Sequence, residues 1–172
     1  FKIKVGQDAA ADAARVAAVK KAVASGSRLF ADANAAWDLA TAEKRIAALA
    51  AQGIELVEEP LTPEAARTAD WRALEKAAAT PLMADESLCT LADAEALLRR
   101  GSPSWWNLRV AKNGGFAGVT RLAALARDND VSVYGGILVG DTGALAAAGR
   151  LAMFLSDSQF GAYRFSPVLA QG

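Results

Sequence analysis

Three acidic residues, Asp32, Glu58 and Asp85, each follow a short apolar stretch of the sequence. They recur at intervals of 26 and 27 residues, a length that suits one strand, one helix and two loops of a parallel β/α array. In a closed β/α barrel the carboxyl ends of all strands meet at one face, so the three carboxylates would converge there. Converging carboxylates raise one another's pKa unless a cation neutralises them, and oxygen ligands favour a hard cation such as Mg²⁺. The spacing therefore predicts a magnesium site, against the alternative of three unrelated surface acids at loop starts.

Basic side chains are the other candidates for chemistry, because the chain has no histidine. This absence excludes Ser-His-Asp and Cys-His catalysis and every zinc site that contains histidine. Proton transfer in an enzyme of this composition falls to Lys, Asp, Glu, Tyr or the thiol. Lys2 and Lys4 alternate with apolar residues near the start of the chain, so they share one face of a predicted strand.

The elements that must position these residues alternate along the chain. Apolar runs predict strands at 1–6, 28–33, 54–58, 81–85, 105–110 and 131–138. Amphipathic or Ala-rich stretches predict helices at 8–25, 38–52, 70–78, 90–101, 116–127 and 141–155, with a possible eighth element at 160–165. The strand ends recur with a near-constant period, which indicates an internal repeat of β/α units.

The repeat predicts an α/β fold of the TIM-barrel type, with residues 1–172 as one barrel domain. A doubly wound sheet also alternates strands and helices, but it does not normally place polar groups at nearly every strand end. The chain has 172 residues, whereas a complete TIM barrel typically has about 250. We therefore expect an incomplete barrel that is a piece of a longer protein.

The charge balance, the apolar runs and the cysteine count limit the binding partners and the location that we expect. Lysine plus arginine equals aspartate plus glutamate, so the formal net charge is zero, and neither nucleic acid nor an anionic membrane surface is expected as a partner. No apolar run reaches the roughly 20 residues of a membrane span. Cys89 is the only cysteine, so an intrachain disulfide is impossible, and a cytoplasmic location is expected.

Five short motifs follow one another along the chain: Lys2-Ile3-Lys4, Asp32-Ala33-Asn34, Glu58-Glu59-Pro60, Asp85-Glu86-Ser87 and Arg109-Val110-Ala111-Lys112-Asn113-Gly114-Gly115. Their order and spacing resemble those of the enolase superfamily. The sequence most resembles its muconate cycloisomerase and mandelate racemase-like branch, which includes dipeptide epimerases. The resemblance implies the second to about the seventh strand of the family's barrel, without its first strand and without its N-terminal capping domain. It also implies a homo-oligomer for the full-length protein.

The resemblance implies abstraction of a proton next to a carboxylate. It also implies that Mg²⁺, or Mn²⁺ in its place, would stabilise the enediolate formed from a small carboxylate substrate, such as an acid sugar, a muconate-like compound or an amino-acid derivative. By the same resemblance Asp32, Glu58 and Asp85 are the metal ligands and Lys4 is the base. Lys2 and the metal disfavour the protonated form of Lys4.

Arg109 departs from the family pattern, which has a second catalytic lysine at this place. Arginine stays protonated and is a poor base, although it can bind a carboxylate or stabilise negative charge. We therefore expect one-base chemistry, in a lyase, dehydratase or cycloisomerase, and a supporting role for Lys112, which would point away from an extended strand. A racemase or epimerase and a catalytically inert barrel fragment remain the alternatives.

Asp141 follows the predicted seventh strand, where related enzymes often carry an acidic residue that binds or protonates the intermediate. A role as the N-cap of the following helix is equally compatible with its position. Glu59 and Glu86 each lie one residue beyond a predicted metal ligand and are expected to point away from the site. Asn34 shares the face of Asp32 and is expected to support the site.

Overall fold

The structure is a computed structural model and describes residues 1–136. It contains six strands, β1 (Lys2–Lys4), β2 (Leu29–Asp32), β3 (Ile54–Glu58), β4 (Leu82–Ala84), β5 (Trp105–Leu108) and β6 (Ser132–Gly135). The helices are α1 (Ala9–Ala22), α2 (Leu39–Ala51), α3 (Pro63–Ala66), α4 (Trp71–Ala78), α5 (Leu91–Arg100) and α6 (Gly115–Asp128). Asp141, the predicted helix at 141–155 and the possible element at 160–165 lie outside the described residues.

The six strands form one parallel sheet in which each strand pairs with the next strand of the chain. Every pair of neighbouring strands is joined by at least one helix. A doubly wound sheet reverses its strand order at a switch point, and the described sheet has no such reversal. The consecutive order is that of a β/α barrel, so the predicted fold class is confirmed, with six strands supplied by residues 1–136.

Side-chain caps begin the helices where the sequence places short polar residues. Asp8, Asp38 and Asp70 each accept a hydrogen bond from the backbone N–H three residues on. Thr90 forms a reciprocal capping box with Asp93 at the start of α5, as its spacing predicts. These caps satisfy N–H groups that the first turn of a helix leaves unpaired. The starts of these four helices agree with the predicted helix ranges, whereas α6 begins after Gly114 without a side-chain cap.

The core lies between the sheet and the helices that cover it. Helix α2 contributes Ala42, Ile46 and Leu49, which recur at helical spacing and are buried. Trp71 and Trp106 are the largest fully buried side chains of the described residues, and Trp106 donates its indole N–H to Ser102. In the part of the chain from residue 1 to 136, no helix is both long and apolar enough to cross a lipid bilayer.

Candidate active site

The parallel register places the predicted acidic residues side by side. Lys4 pairs with Asp32 across β1 and β2, and Asp32 pairs with Glu58 across β2 and β3. Asp85 follows directly after β4, the neighbour of β3. Asp32, Glu58 and Asp85 are 1%, 0% and 4% exposed, so the alternative of three surface acids is wrong. Burying three carboxylates costs free energy unless cations compensate them.

The two lysines of β1 supply part of that compensation. Lys4 donates from Nζ to Asp32 and to Asn34, at 2.6 Å in each case. The Nζ of Lys2 lies 2.9 Å from Glu58 and 3.2 Å from Asp32. The lysines share one face, as predicted, but their exposure differs: the Lys4 side chain is 62% exposed and the Lys2 side chain 32%. Lys4 is therefore the lysine with open access to an incoming molecule.

Lys2 is held as a cation. Burial lowers the pKa of Lys2, but the ion pairs with Glu58 and Asp32 outweigh burial, so the pKa of Lys2 is raised. A lysine with a raised pKa is unsuited to accept a proton. Its positive charge neutralises two buried carboxylates, and it stands close to the other amine of the strand.

Glu58 is the most buried of the three carboxylates. It accepts a hydrogen bond of 2.7 Å from the side-chain amide of Asn107. Burial raises the pKa of Glu58 to about 7, with Lys2 acting against the rise and Asp32 and Asp85 adding to it. Glu58 therefore feels the negative charge of both other carboxylates, which is the electrostatic condition for a cation site. Asn107 was not among the predicted site residues.

The negative charge of Asp85 is compensated by two cations that follow β5. Arg109 donates to its carboxylate, and the Nζ of Lys112 lies 2.7 Å from the same oxygen. Burial would raise the pKa of Asp85, but Lys112 and Arg109 outweigh it and hold the pKa below its ordinary value. Arg109 is thus brought into the site, as the sequence predicts.

Lys112 lies inside the site, which differs from the expected orientation. Strand β5 ends at Leu108, and the following turn is fixed by Asn113, which accepts from the N–H of Arg109 at 2.7 Å. The turn redirects Lys112, which also donates to the backbone carbonyls of Asp85 and Asn107. Burial lowers the pKa of Lys112, and Asp85 partly opposes this. The expectation failed because it assumed that the strand continued.

Glu59 points away from the lysines, as expected, yet it supports the site from behind. It accepts the backbone N–H of Asp85 at 2.6 Å and the hydroxyl of Ser87. Burial raises the pKa of Glu59 to about 7. Its backbone has a φ of +38°, in the left-handed region that is rare for glutamate. This turn separates the adjacent carboxylates, so Glu58 faces the lysines and Glu59 holds the end of β4.

Asn34 and Glu86 complete the edge of the site. Asn34 accepts from Lys4 and donates its amide N–H to Glu86 at 2.9 Å. It therefore links the lysine of β1 to the loop after β4, which confirms the predicted supporting position of Asn34. Glu86, which was expected to point away from the site, lies at its edge as the acceptor for this amide.

Oxygen ligands of the kind that Mg²⁺ prefers stand at three neighbouring strand ends. Their burial and the mutual effect on the pKa of Glu58 fit a bound cation. In the described residues, however, no three His, Cys, Asp or Glu side chains are gathered closely enough to hold a metal ion. Lysine and arginine side chains neutralise the carboxylates in this structure. Binding of a metal ion therefore requires the three carboxylates to move closer together.

The chain is similar in sequence to one family model and to several characterised enzymes. The family model described as "Enolase C-terminal domain-like" matches residues 1–170. Muconate cycloisomerase 1 of Pseudomonas putida is 34% identical over 98% of this chain and 45% of its own length. Chloromuconate cycloisomerase of Cupriavidus pinatubonensis is 33% identical over 97% of this chain and 45% of its own length. This chain thus spans less than half the length of these relatives.

Solved structures agree in fold. A muconate cycloisomerase from Pseudomonas fluorescens matches with a TM-score of 0.79 at 35% identity, over 87% of this chain and 41% of that one. A dipeptide epimerase from Cytophaga hutchinsonii, complexed with Mg and the dipeptide D-Ala-L-Val, matches with a TM-score of 0.84 at 27% identity, over 95% and 43%. The motifs, the consecutive parallel sheet and these matches together show that the chain belongs to the enolase superfamily, as its C-terminal barrel domain.

Proposed function

We propose that this barrel domain abstracts a proton next to a carboxylate of a small substrate, as part of a Mg²⁺-dependent lyase or cycloisomerase. The observation that carries the proposal is the juxtaposition of three buried carboxylates at adjacent strand ends with the accessible amine of Lys4. Asp32, Glu58 and Asp85 would hold the metal. When bound, Mg²⁺ supplies positive charge that stabilises the negative charge developing on the substrate carboxylate.

Lys4 is the proposed base, acting through Nζ. Its Nζ is oriented by Asp32 and Asn34, while most of its side chain is open to an incoming molecule. Lys2 stays cationic beside it and pairs with Glu58 and Asp32. The proton taken from the substrate is held on Nζ of Lys4 until it is returned or released.

Arg109 is the proposed binding group on the opposite side of the site. Its guanidinium pairs with Asp85 and keeps its charge at every physiological pH. It suits the binding of a substrate anion or the stabilisation of negative charge, and it does not accept a proton. One base on one face favours elimination or cycloisomerisation over racemisation.

Lys112 supports a second candidate, a racemase or epimerase. Its Nζ lies within hydrogen-bond distance of Asp85 and of two backbone carbonyls in the site, and its pKa is lowered. A lysine with a lowered pKa is suited to move a proton. Incorporation of deuterium from D₂O into recovered substrate with inverted configuration, lost in Lys112→Met, would favour this candidate.

Calorimetric titration with Mg²⁺ and with Mn²⁺ tests the proposed metal site on the chain. Binding of one ion per chain that is lost in Asp85→Asn supports the proposal. The control is Glu55→Gln, which removes an exposed carboxylate paired with Arg28 and should bind the ion normally. A folded chain that binds neither ion would overturn the metal site and leave an inert fragment as the better account. A screen of acid sugars, muconates and amino-acid derivatives then identifies the substrate.

A further inference from the structure

An ion cluster built on one buried carboxylate lies behind the proposed base, on the helix side of β1. Asp12, in the first turn of α1, is 2% exposed and faces two arginines. One carboxylate oxygen accepts from Arg15 at 2.8 Å, and the other accepts from Arg45 at 2.8 Å. We refer to Asp12, Arg15 and Arg45 as the Asp12 cluster. Because the Arg15 side chain is 43% exposed, its ion pair contributes little net stability. Ion pairs on a buried carboxylate fix a specific geometry in some proteins.

The Asp12 cluster holds the backbone on both sides of Val5, directly after the proposed base. Arg15 donates from the nitrogen that contacts Asp12 to the backbone carbonyl of Lys4 at 2.8 Å. Asp12 also accepts the backbone N–H of Gly6 at 2.9 Å. The end of β1 is therefore fixed by one donor and one acceptor that belong to the same cluster.

Gly6 shows how tightly this segment is placed. Its φ of +117° is rare for any other residue, and a Cβ at this position would lie 2.8 Å from the carbonyl oxygen of Ala33 and 2.7 Å from Ala36. Ala33 follows Asp32 directly. The backbone after Lys4 is thus pressed against the backbone after the carboxylate that Lys4 contacts.

The Asp12 cluster is linked to the ends of β2 and β3 through Trp37. Arg45 lies over the Trp37 ring, 5.5 Å from its centroid. The backbone of Trp37 donates to Pro60 at 3.0 Å and accepts from Thr62 at 2.8 Å, so it ties the loop after β2 to the loop after β3. The Asp12 cluster therefore contacts the segments that follow β1 and β2, and Trp37 links it to the segment after β3.

We propose that the Asp12 cluster is a positioning device that holds the backbone of Lys4 so that its Nζ stays against Asp32. The inference rests on the proposed role of Lys4 as base, and it assigns Asp12, Arg15 and Arg45 no contact with the substrate. Removing the Arg15 guanidinium releases the Lys4 carbonyl, and the long, exposed lysine side chain then leaves its ion pair.

Lysine labelling with an N-hydroxysuccinimide ester, quantified for each residue by mass spectrometry, tests the inference without a substrate. Lys20 is the internal reference, because it lies on α1 and donates to a backbone carbonyl at 2.8 Å. In Arg15→Met the ratio of Lys4 to Lys20 labelling should rise about fivefold, which corresponds to about 1 kcal/mol of lost ordering. Arg15→Lys restores a donor to the carbonyl and should return the ratio to the wild-type value.

Two further variants test whether the effect is specific to the Asp12 cluster. Asp12→Asn weakens the hold on both arginines and should raise the labelling ratio less than Arg15→Met does. Arg28→Met removes an ion pair with Glu55, 2.6 Å long, and should leave the ratio unchanged. An unchanged ratio in a folded Arg15→Met chain, or an equal rise in Arg28→Met, would overturn the inference. If Arg15→Met frees Lys4 while Lys4→Met retains full activity, the proposed function fails and the positioning stands.

Discussion

Lys4 and Asp32 are direct partners in the register of β1 and β2, and the Nζ of Lys4 lies 2.6 Å from a carboxylate oxygen of Asp32. The proposed base thus contacts a proposed metal ligand directly. A cation bound to Asp32 competes with the lysine ammonium for the same negative charge. Metal binding and the freedom of the base are therefore coupled.

Lys4→Met tests this coupling. The variant should lose proton exchange between substrate and solvent, and it should bind Mg²⁺ more tightly because Asp32 no longer has this ammonium partner. Its free energy of unfolding should change by less than about 1 kcal/mol, because the lysine is largely exposed. Deuterium exchange, calorimetry and urea unfolding measure the three quantities. Lys20→Met, on the far end of α1, is the control; weaker Mg²⁺ binding by Lys4→Met would contradict the coupling.

Glu59→Gln should change the pH dependence of stability. Burial raises the pKa of Glu59 from its ordinary 4.5 to about 7, so the folded chain holds this proton more tightly than the unfolded chain. The free energy of unfolding therefore falls as the pH rises from about 4.5 to about 7. Glu58 contributes in the same direction, so the variant should keep part of the slope.

Urea unfolding between pH 4.5 and pH 8 measures this effect. Relative to wild type, Glu59→Gln should become more stable as the pH rises through this window. Glu64→Gln removes an exposed carboxylate and should follow the wild-type curve. Parallel curves for wild type and Glu59→Gln would contradict the raised pKa.

Glu75→Ala should destabilise the fold without touching the proposed site. Its buried carboxylate accepts the backbone N–H of Leu82 at 2.6 Å and the N–H and hydroxyl of Ser104 at 2.8 Å each. Leu82 begins β4 and Ser104 precedes β5, so α4 ties both strands through one side chain. Leaving the buried amide of Leu82 without this partner should cost about 1–3 kcal/mol in the free energy of unfolding, and the half-buried amide of Ser104 should add less. Thermal unfolding against the exposed control Glu64→Ala checks it; an equal loss in both variants would refute it.

Arg109→Lys should alter the stereochemical outcome of the reaction. A lysine beside Asp85 can accept a proton, whereas the arginine cannot. With the substrate identified by the screen, the variant should show deuterium incorporation with inverted configuration that wild type lacks. Arg67→Lys, at an exposed position of the surface, is the matched control. Inversion by the wild-type chain would instead favour Lys112 as the second proton-transfer group.

The sequence was sufficient for the features that depend on neighbours along the chain. The capping box of Thr90 and Asp93 was a local signal, and the structure bears it out. The spacing from Asp32 to Glu58 predicted adjacent parallel strands, because only one helix fits between them. The expectation for Lys112 failed where the outcome depended on a distant contact: Asn113 fixes the turn by donating to the carbonyls of Leu88 and Cys89.

Glu59 is a clearer case of a contact that depends on residues distant in the sequence. Two adjacent glutamates on a strand should face opposite sides, and this much was predicted. Glu59 accepts the backbone N–H of Asp85 only because its own φ is left-handed and because the end of β4 lies beside it. Neither leaves a periodic signal in the sequence. Asn107 was missed for a similar reason, since its contact with Glu58 crosses from β5 to β3.

The consecutive order of the strands has a consequence for how the molecule assembles. Each strand pairs with the strand that precedes it in the chain, so every new pairing closes a loop of similar, moderate length. Contacts of low sequence separation form early in folding. The chain can thus add one β/α unit at a time, and Asp32, Glu58 and Asp85 come together only with the third addition. The cations Arg109 and Lys112, which pair with Asp85, join this site only when the following strand, β5, has been added.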